Sequence, residues 1–173
     1  MQFRKATEND IIAIETIYQD IHTAEEKGMV TIGWAREVYP TRRTAEDSLK
    51  RGDLFVQTES GQVVGAAIIN QQQVDVYAQG NWKYVTSDEH VMVLHTLVIS
   101  PNVERKGYGT AFVRFYEEYA KEQGCHFLRM DTNARNERAR AMYQKLGYEE
   151  IGVVPCVFNG IEGVQLVLLE KKV

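Results

Sequence analysis

An apolar run of nine residues, VMVLHTLVI at Val91–Ile99, is the feature that most constrains the fold of this chain. Such a run is typical of a strand that is covered on both faces, as in sheets with helices on each side. A turn at Pro101 follows, then Gly107 and Gly109, and then a segment of helical period that ends at Gly124. A covered strand that leads through a glycine loop into an amphipathic helix predicts an α/β fold.

The rest of the chain alternates strand and helix signals. Further strands are predicted at 2–5, at 53–58 and 62–70 as a hairpin, at 126–132, near 148–154 and near 164–170. Helices are predicted after the capping patterns Thr7-x-x-Asp10 and Thr44-x-x-Asp47 and after Asn136. Segments 28–43 and 71–90 carry no regular period. With 173 residues and no repeat or linker, the chain is expected to form one domain, residues 1–173.

Charge and cysteine content narrow the range of partners. The chain has 20 basic and 24 acidic residues, so its net charge of −4 does not favour nucleic acid or a membrane surface. No apolar run approaches the roughly 20 residues of a membrane span, and the first ten residues lack a signal peptide's apolar core. Cys125 and Cys156 are too few for a disulfide framework or a metal knuckle. We therefore expect a cytoplasmic protein with reduced thiols and no metal.

Gly107 and Gly109 lie where a strand gives way to a helix, a place that favours an anion. The first N–H groups of a helix have no intrahelical partners, and the helix dipole is positive there. Arg105 and Lys106 add local positive charge. The spacing fits neither a P-loop, which needs Gly-Lys-Ser/Thr, nor a dinucleotide fingerprint, which needs Gly or Ala at Phe112. The alternative is a glycine turn that serves only close packing.

Two motifs together resemble one family. LVISPNVERKGYGTAF, residues 97–112, resembles the acyl-CoA-binding segment of the GNAT (Gcn5-related N-acetyltransferase) family, Gln/Arg-x-x-Gly-x-Gly/Ala after a strand. NERARAMYQKLGY, residues 136–148, is similar to the family's second motif, with an Asn, an apolar helix face, a Tyr and a terminal Gly-Phe/Tyr. Glu104 and Arg105 depart from the first motif, where Gln or Arg and often Gly stand. The resemblance implies a central mixed, strongly twisted β-sheet with helices on both faces.

The resemblance also implies acetyl-CoA as the acyl donor. In the family, splayed central strands leave main-chain groups free for the pantetheine arm, and main-chain N–H groups at the next helix hold the pyrophosphate. Asn136 is expected to contact the cofactor arm, with a role as helix N-cap alone as the alternative; the two roles do not exclude each other. The residues expected at the cofactor are Leu97, Val98, Ile99, Arg105, Lys106, Gly107, Tyr108, Gly109, Thr110, Asn133, Asn136 and Tyr143.

Acyl transfer to an amine needs a neutral nucleophile and a proton for the departing thiolate. The resemblance assigns the proton donor to Tyr143, with a core tyrosine as the alternative. His95 suits the general base by its ordinary pKa near 6.5, and a satisfied strand histidine is the alternative. Asp131 matches a base in the ribosomal-protein N-terminal acetyltransferases of the family, and it could equally hold loop amides.

The acceptor is expected to be a small-molecule amine or a peptide amine. Trp34, Tyr39 and Trp82 lie in the segments that form the family's variable acceptor walls, and aromatics that pack down surface loops are the alternative. The resulting hypothesis is direct acetyl transfer in a ternary complex. A non-catalytic acyl-CoA-binding module and a peptide or protein N-terminal acetyltransferase are the alternatives, and a homodimer is left open.

Overall fold

The predicted central strand is β4 (Val91–Ile99) of a sheet in the computed structural model, which describes residues 1–103 and 106–173. The other strands in these ranges are β1 (Gln2–Lys5), β2 (Leu54–Glu59), β3 (Gln62–Asn70), β5 (Phe127–Asn133), β6 (Glu149–Phe158) and β7 (Ile161–Lys172). The α-helices are α1 (Ile11–Glu26), α2 (Arg42–Arg51), α3 (Tyr108–Glu122) and α4 (Glu137–Lys145). The strand order β1-β2-β3-β4-β5-β7-β6 makes one sheet.

The sheet is mixed, and helices cover both of its faces. β4 and β5 are parallel, and every other neighbouring pair is antiparallel. Alternate residues of β3 show the two layers, since Ala67 packs in the cluster with α3 while Ala66 packs in the cluster with α1. The predicted fold class is confirmed. Among the described residues, no helix has the length and apolar character that a membrane span requires.

The predicted start of α2 and the predicted extent of the final hairpin were wrong. α2 begins one turn earlier than expected, because Thr41 and Thr44 cap it reciprocally and Thr41 is the N-cap residue. The final hairpin is longer than predicted, since β6 extends to Phe158 and β7 begins at Ile161. Segment 71–90, for which the sequence predicts no regular element, contains two short 3₁₀ turns and packs on the end of the sheet through Val76 and Tyr77.

The two central parallel strands part halfway along their length. β4 pairs with β5 only from Val91 to Leu94, and beyond the pair Leu94 and Met130 the strands separate. On its other side, β4 stays paired with β3, but a bulge near Thr96 shifts the register. Thr96 has a φ of 51°, a left-handed backbone that is uncommon for this residue type. The half of β4 after Leu94 therefore has an edge that β5 does not fill.

Candidate active site

A cleft of about 670 Å³ opens where β4 and β5 part. Its walls come from the second half of β4, the end of β5, the starts of α3 and α4, and the loop that follows α1. Hydrogen bonds hold that loop in place across the cleft. The carboxylate of Glu25 accepts hydrogen bonds from the N–H groups of Ile32 (2.7 Å) and Gly33 (3.0 Å), and Thr31 donates to the carbonyl of Arg135 (2.8 Å).

Nearly all of the residues expected at the cofactor line this one cleft. They are Leu97, Val98, Ile99, Lys106, Gly107, Tyr108, Gly109, Thr110, Asn133, Asn136 and Tyr143. Arg105, and Glu104 beside it, lie outside the described residues. The structure thus brings together side chains and main-chain groups from four elements that are separated by up to 46 residues in the sequence.

The start of α3 lies at this cleft with first-turn N–H groups that have no acceptor within the helix. Gly107 is the N-cap residue with a φ of 76°, and an added Cβ would meet no atom within 4 Å. Gly109 lies in the first helical turn, where an added Cβ would approach the sulfur of Met142 to 3.2 Å. Because first-turn N–H groups lack intrahelical acceptors, this end of α3 suits a phosphate group.

Asn133 and Asn136 organise the turn between β5 and α4. The Oδ1 atom of Asn136 accepts from the N–H of Ala139 at 3.3 Å, so Asn136 caps α4 as expected. Asn133 accepts from the N–H of Arg135 at 3.0 Å. The amide of Asn133 also lies against Gly33, where an added Cβ would be 2.3 Å from Nδ2. The turn therefore meets the loop after α1 at Gly33, which has a φ of 84° and leaves room for the Asn133 amide.

Tyr143 and Asp131 reach the cleft from opposite faces of the sheet. Tyr143 belongs to the cluster of α3 and α4, where it is 6% exposed and its ring meets that of Tyr148 edge-on at 6.0 Å. Burial raises the pKa of Tyr143, and the charge of Asp131 raises it further. The Tyr143 hydroxyl makes no hydrogen bond with any of the described residues. Because its pKa is raised, the Tyr143 hydroxyl stays protonated at neutral pH and can donate a hydrogen bond.

Asp131 is a carboxyl group in a protected position. Burial raises the pKa of Asp131 to about 6, although the hydrogen bond from Tyr77 acts in the opposite direction. The Tyr77 hydroxyl donates to the carboxylate at 2.7 Å, and Tyr77 is 2% exposed. The sequence did not predict this contact, because Tyr77 lies in the irregular segment 71–90, 54 residues from Asp131. A carboxyl group with a pKa near 6 can accept a proton at neutral pH.

His95 lies on β4 at the boundary between this cleft and a second cavity of about 460 Å³. Tyr39 and Val74 line both spaces as well. The Nε2 atom of His95 is 2.9 Å from Oδ1 of Asn70, and burial lowers the pKa of His95 to about 4. His95 is therefore neutral at pH 7 and a weaker proton acceptor than its ordinary pKa suggests.

Of the three aromatic residues expected at the acceptor, two reach the cleft. Trp34 and Tyr39 line it with their rings edge-on at 6.0 Å, and the Tyr39 hydroxyl is hydrogen-bonded to Thr96 in the bulge. The structure does not bring Trp82 there. Its indole donates to the carbonyl of Tyr77 at 2.7 Å, and the guanidinium of Arg129 lies 4.1 Å from its ring centre. Trp82 thus packs against Tyr77 and Arg129 and does not line the cleft.

The sheet order, the parting of β4 from β5 and the helix that begins at the glycine loop define a class of mixed α/β proteins with a cleft between splayed parallel strands. The sequence matches the Acetyltransferase (GNAT) family over residues 13–148, and the chain belongs to that family.

Individual proteins agree with this assignment. The chain is 26% identical over 96 residues to YhfO of Bacillus subtilis, described as an uncharacterized N-acetyltransferase, and the match covers 49% of this chain and 64% of that protein. A GNAT-family acetyltransferase from Streptococcus agalactiae has a TM-score of 0.84 at 24% identity, over 99% and 95% of the two chains. A ribosomal-protein-alanine N-acetyltransferase from Brucella melitensis has a TM-score of 0.73 at 22% identity, over 100% of both. At these identities the two structures show the fold alone.

Proposed function

We propose that this chain transfers the acetyl group of acetyl-CoA directly to an amine in a ternary complex. The observation that carries the proposal is that Tyr143 and Asp131 both line the cleft. One is a buried proton donor and the other a carboxyl group whose pKa is raised to about 6. The negative charge of Asp131 helps to raise the pKa of Tyr143, which favours the neutral, protonated hydroxyl.

The cleft fits acetyl-CoA in shape and in polar groups. The unfilled edge of β4 at Leu97–Ile99 offers main-chain groups to an extended amide-bearing arm, as an added strand would use them. The start of α3 at Gly107 offers donors to a pyrophosphate. Acetyl-CoA supplies the activated acetyl group, and the residues of the chain hold and orient it.

Proton movement is assigned to the residues inside the cleft. Asp131 takes a proton from the amine nitrogen, since its carboxylate is ionised at neutral pH and is fixed by Tyr77. Tyr143 holds the proton that the departing thiolate needs. Asp131 is assigned as the base in preference to His95. Burial raises the pKa of Asp131 and lowers that of His95, so His95 is the weaker proton acceptor of the two.

A peptide amine is the second candidate for the acceptor. The cavity of about 460 Å³ adjoins the cleft at Tyr39, Val74 and His95, so an acceptor longer than a small amine has room beyond the reacting nitrogen. The ribosomal-protein-alanine N-acetyltransferase among the structural neighbours is compatible with this choice. A small amine would instead need only the aromatic wall of Trp34 and Tyr39.

Release of CoA, measured against a panel of amines, tests the proposal. The panel contains polyamines, amino acids, aminoglycosides and short peptides, each peptide paired with its N-terminally acetylated form as a matched control. Turnover of a free peptide but not of its blocked form would identify the peptide amine as the acceptor. Tight acetyl-CoA binding without CoA release for any member would favour a non-catalytic acyl-CoA-binding module and contradict the enzyme.

A further inference from the structure

We infer that Asn70 is a positioning residue that fixes His95 in the tautomer with its proton on Nε2, so that Nδ1 accepts a hydrogen bond from the incoming amine. The inference rests on the proposed acetyl transfer. His95 pairs with Ile68 of β3, and both line the second cavity, on the face of the sheet that carries α2. Its imidazole therefore stands at the passage from the second cavity to the reaction cleft.

The orientation of the Asn70 amide is determined by two neighbours of opposite character. Its Oδ1 atom accepts from the main-chain N–H of Gln72 at 2.9 Å, and its Nδ2 atom donates to the carboxylate of Asp53 at 2.9 Å. Turning the amide over would place NH₂ against N–H and oxygen against carboxylate. Both changes would cost hydrogen bonds in a partly buried site. Oδ1 is therefore the atom that faces His95.

An amide oxygen can only accept a hydrogen bond, and this fixes the proton on His95. The contact between Oδ1 of Asn70 and Nε2 of His95, at 2.9 Å, requires Nε2 to be the donor. In the neutral imidazole the lone pair then lies on Nδ1. In histidines generally, a hydrogen bond at one ring nitrogen determines which nitrogen carries the proton. Asn70 has this effect on His95 and leaves Nδ1 as the hydrogen-bond acceptor.

Asp53 extends this network to α2. Its carboxylate accepts from Asn70 and from the guanidinium of Arg51 at 2.9 Å, and Asp53 is 9% exposed. The ion pair keeps an acceptor opposite Nδ2 of Asn70, so the amide has one stable orientation. Arg51 also lines the second cavity together with Arg43 and Asp47, the other charged residues on that wall.

A neutral imidazole in a fixed tautomer is better suited to orienting the amine than to acting as the general base. Burial lowers the pKa of His95 to about 4, although the charge of Asp53 and a main-chain hydrogen bond with Gln72 act in the opposite direction. At neutral pH an N–H of the amine donates to Nδ1, which directs the amine into the cleft. The proton that the reaction releases goes to Asp131.

The tautomer can be measured without any acceptor, by NMR of protein labelled with ¹⁵N at histidine. His95 is identified among His22, His90 and His126 by the signal that disappears in His95→Gln. In the wild type at pH 7, His95 should carry its proton on Nε2 and should stay neutral down to about pH 5. In Asn70→Leu the signal should change to a mixture of tautomers. Asn70→Asp, which keeps an acceptor at Nε2, should retain the tautomer and raise the pKa of His95.

Kinetics with an accepted amine complete the test. Asn70→Leu should lower kcat/KM for the amine by roughly tenfold to a hundredfold while the Kd for acetyl-CoA is unchanged. Gln62→Leu, at the exposed far end of β3, is the control with wild-type values. A proton on Nδ1 in the wild type, or an unchanged tautomer in Asn70→Leu, would overturn the inference even if the enzyme is active. If Asn70→Leu does not fold, the pKa of His95 in Asn70→Asp still decides, since an unchanged pKa would mean that residue 70 does not contact Nε2. Absence of turnover with every amine would contradict the proposed function and leave the tautomer measurement intact.

Discussion

At the scale of single residues, the proposed proton transfers depend on two groups whose burial sets their protonation. The hydroxyl of Tyr143 stays protonated because burial raises its pKa, and it faces the cleft without a competing hydrogen-bond partner among the described residues. Asp131 is ionised only above about pH 6, also because of burial. The same physical cause thus prepares a proton donor and a proton acceptor in one cleft.

Replacement of Tyr143 by Phe should separate binding from chemistry. The ring and its edge-on contact with Tyr148 remain, so acetyl-CoA affinity and the melting temperature should be close to those of the wild type. The proton donor is lost, so kcat should fall by about 10²-fold or more. Tyr148→Phe is the control, because Tyr148 is a neighbouring buried tyrosine outside the cleft. Full turnover in Tyr143→Phe, with chemistry as the limiting step, would contradict the assignment.

Asp131→Asn should affect activity and stability in opposite directions. A base must be ionised, so wild-type kcat/KM should rise with pH through a limb near 6, and the variant should lack this limb. Because folding raises the pKa of Asp131, the carboxyl favours the folded state at low pH, and this contribution is lost as pH rises through about 6. Asparagine does not ionise, so the variant does not lose stability in this way as pH rises.

The variant should therefore be more stable than the wild type at pH 7, by about 2 kcal/mol or less, and the difference should shrink toward pH 4. Urea unfolding at both pH values measures it. Asp75→Asn, at an exposed aspartate, should change neither the pH profile nor the stability. A limb that persists in Asp131→Asn but is absent in His95→Ala would move the base to His95.

At the scale of elements, substitutions of the glycines at the two ends of α3 distinguish the effect of backbone strain on stability from the effect on ligand binding. Gly107 before α3 and Gly124 after it both have a φ of 76°, and an added Cβ would meet no atom within 4 Å at either position. Gly107→Ala and Gly124→Ala should each lower the free energy of unfolding by about 1 kcal/mol. Only Gly107→Ala should also weaken acetyl-CoA binding, because only Gly107 lines the cleft. Calorimetry on both variants makes the comparison, and equal affinities would remove the glycine loop from the binding site.

The elements that sequence predicted well are those with local signals. β4 is a continuous apolar run, and α4 begins at an Asn whose side chain caps it. The start of α2 was misplaced because Thr41 and Thr44 are both competent caps, and local sequence does not decide between them. The glycine loop before α3 could be predicted as an anion site from its own residues, whereas the cleft residues on β4 and α4 were predictable only through a family resemblance.

Segment 71–90 was not predictable, since long-range polar contacts hold it. The carboxylate of Glu170 on β7 accepts from the N–H groups of Lys83 (2.6 Å) and Tyr84 (3.4 Å), more than 80 residues away. Arg129 donates to the carbonyl of Tyr84 at 3.1 Å and lies over Trp82. No periodicity in the sequence records such contacts. This explains why the contact of Tyr77 with Asp131 was not predicted, and why Trp82 was expected at the acceptor although it does not line the cleft.

At the scale of the whole molecule, the sheet is continuous except where β4 and β5 part. One half of the pair is joined from Val91 to Leu94, and the other half leaves the edge of β4 without a strand. The N–H of Ser100 donates to the carbonyl of Val64 on β3 at 2.9 Å, so the preceding N–H, that of Ile99, points to the opposite edge. A ligand arm that pairs with this edge would complete the sheet.

Hydrogen exchange should therefore report acetyl-CoA binding at one place in the sheet. The amide of Ile99 should exchange quickly in the free protein and slow markedly when acetyl-CoA is added, whereas Leu94, in the part of β4 that is already paired, should change little. At a concentration 100 times Kd, the ligand should raise the free energy of unfolding by about 2.7 kcal/mol, which a thermal shift detects. A thermal shift without protection at Ile99 would mean that acetyl-CoA binds but does not pair with β4. In that case the splayed strands would shape the cleft, and the start of α3 would carry the affinity alone.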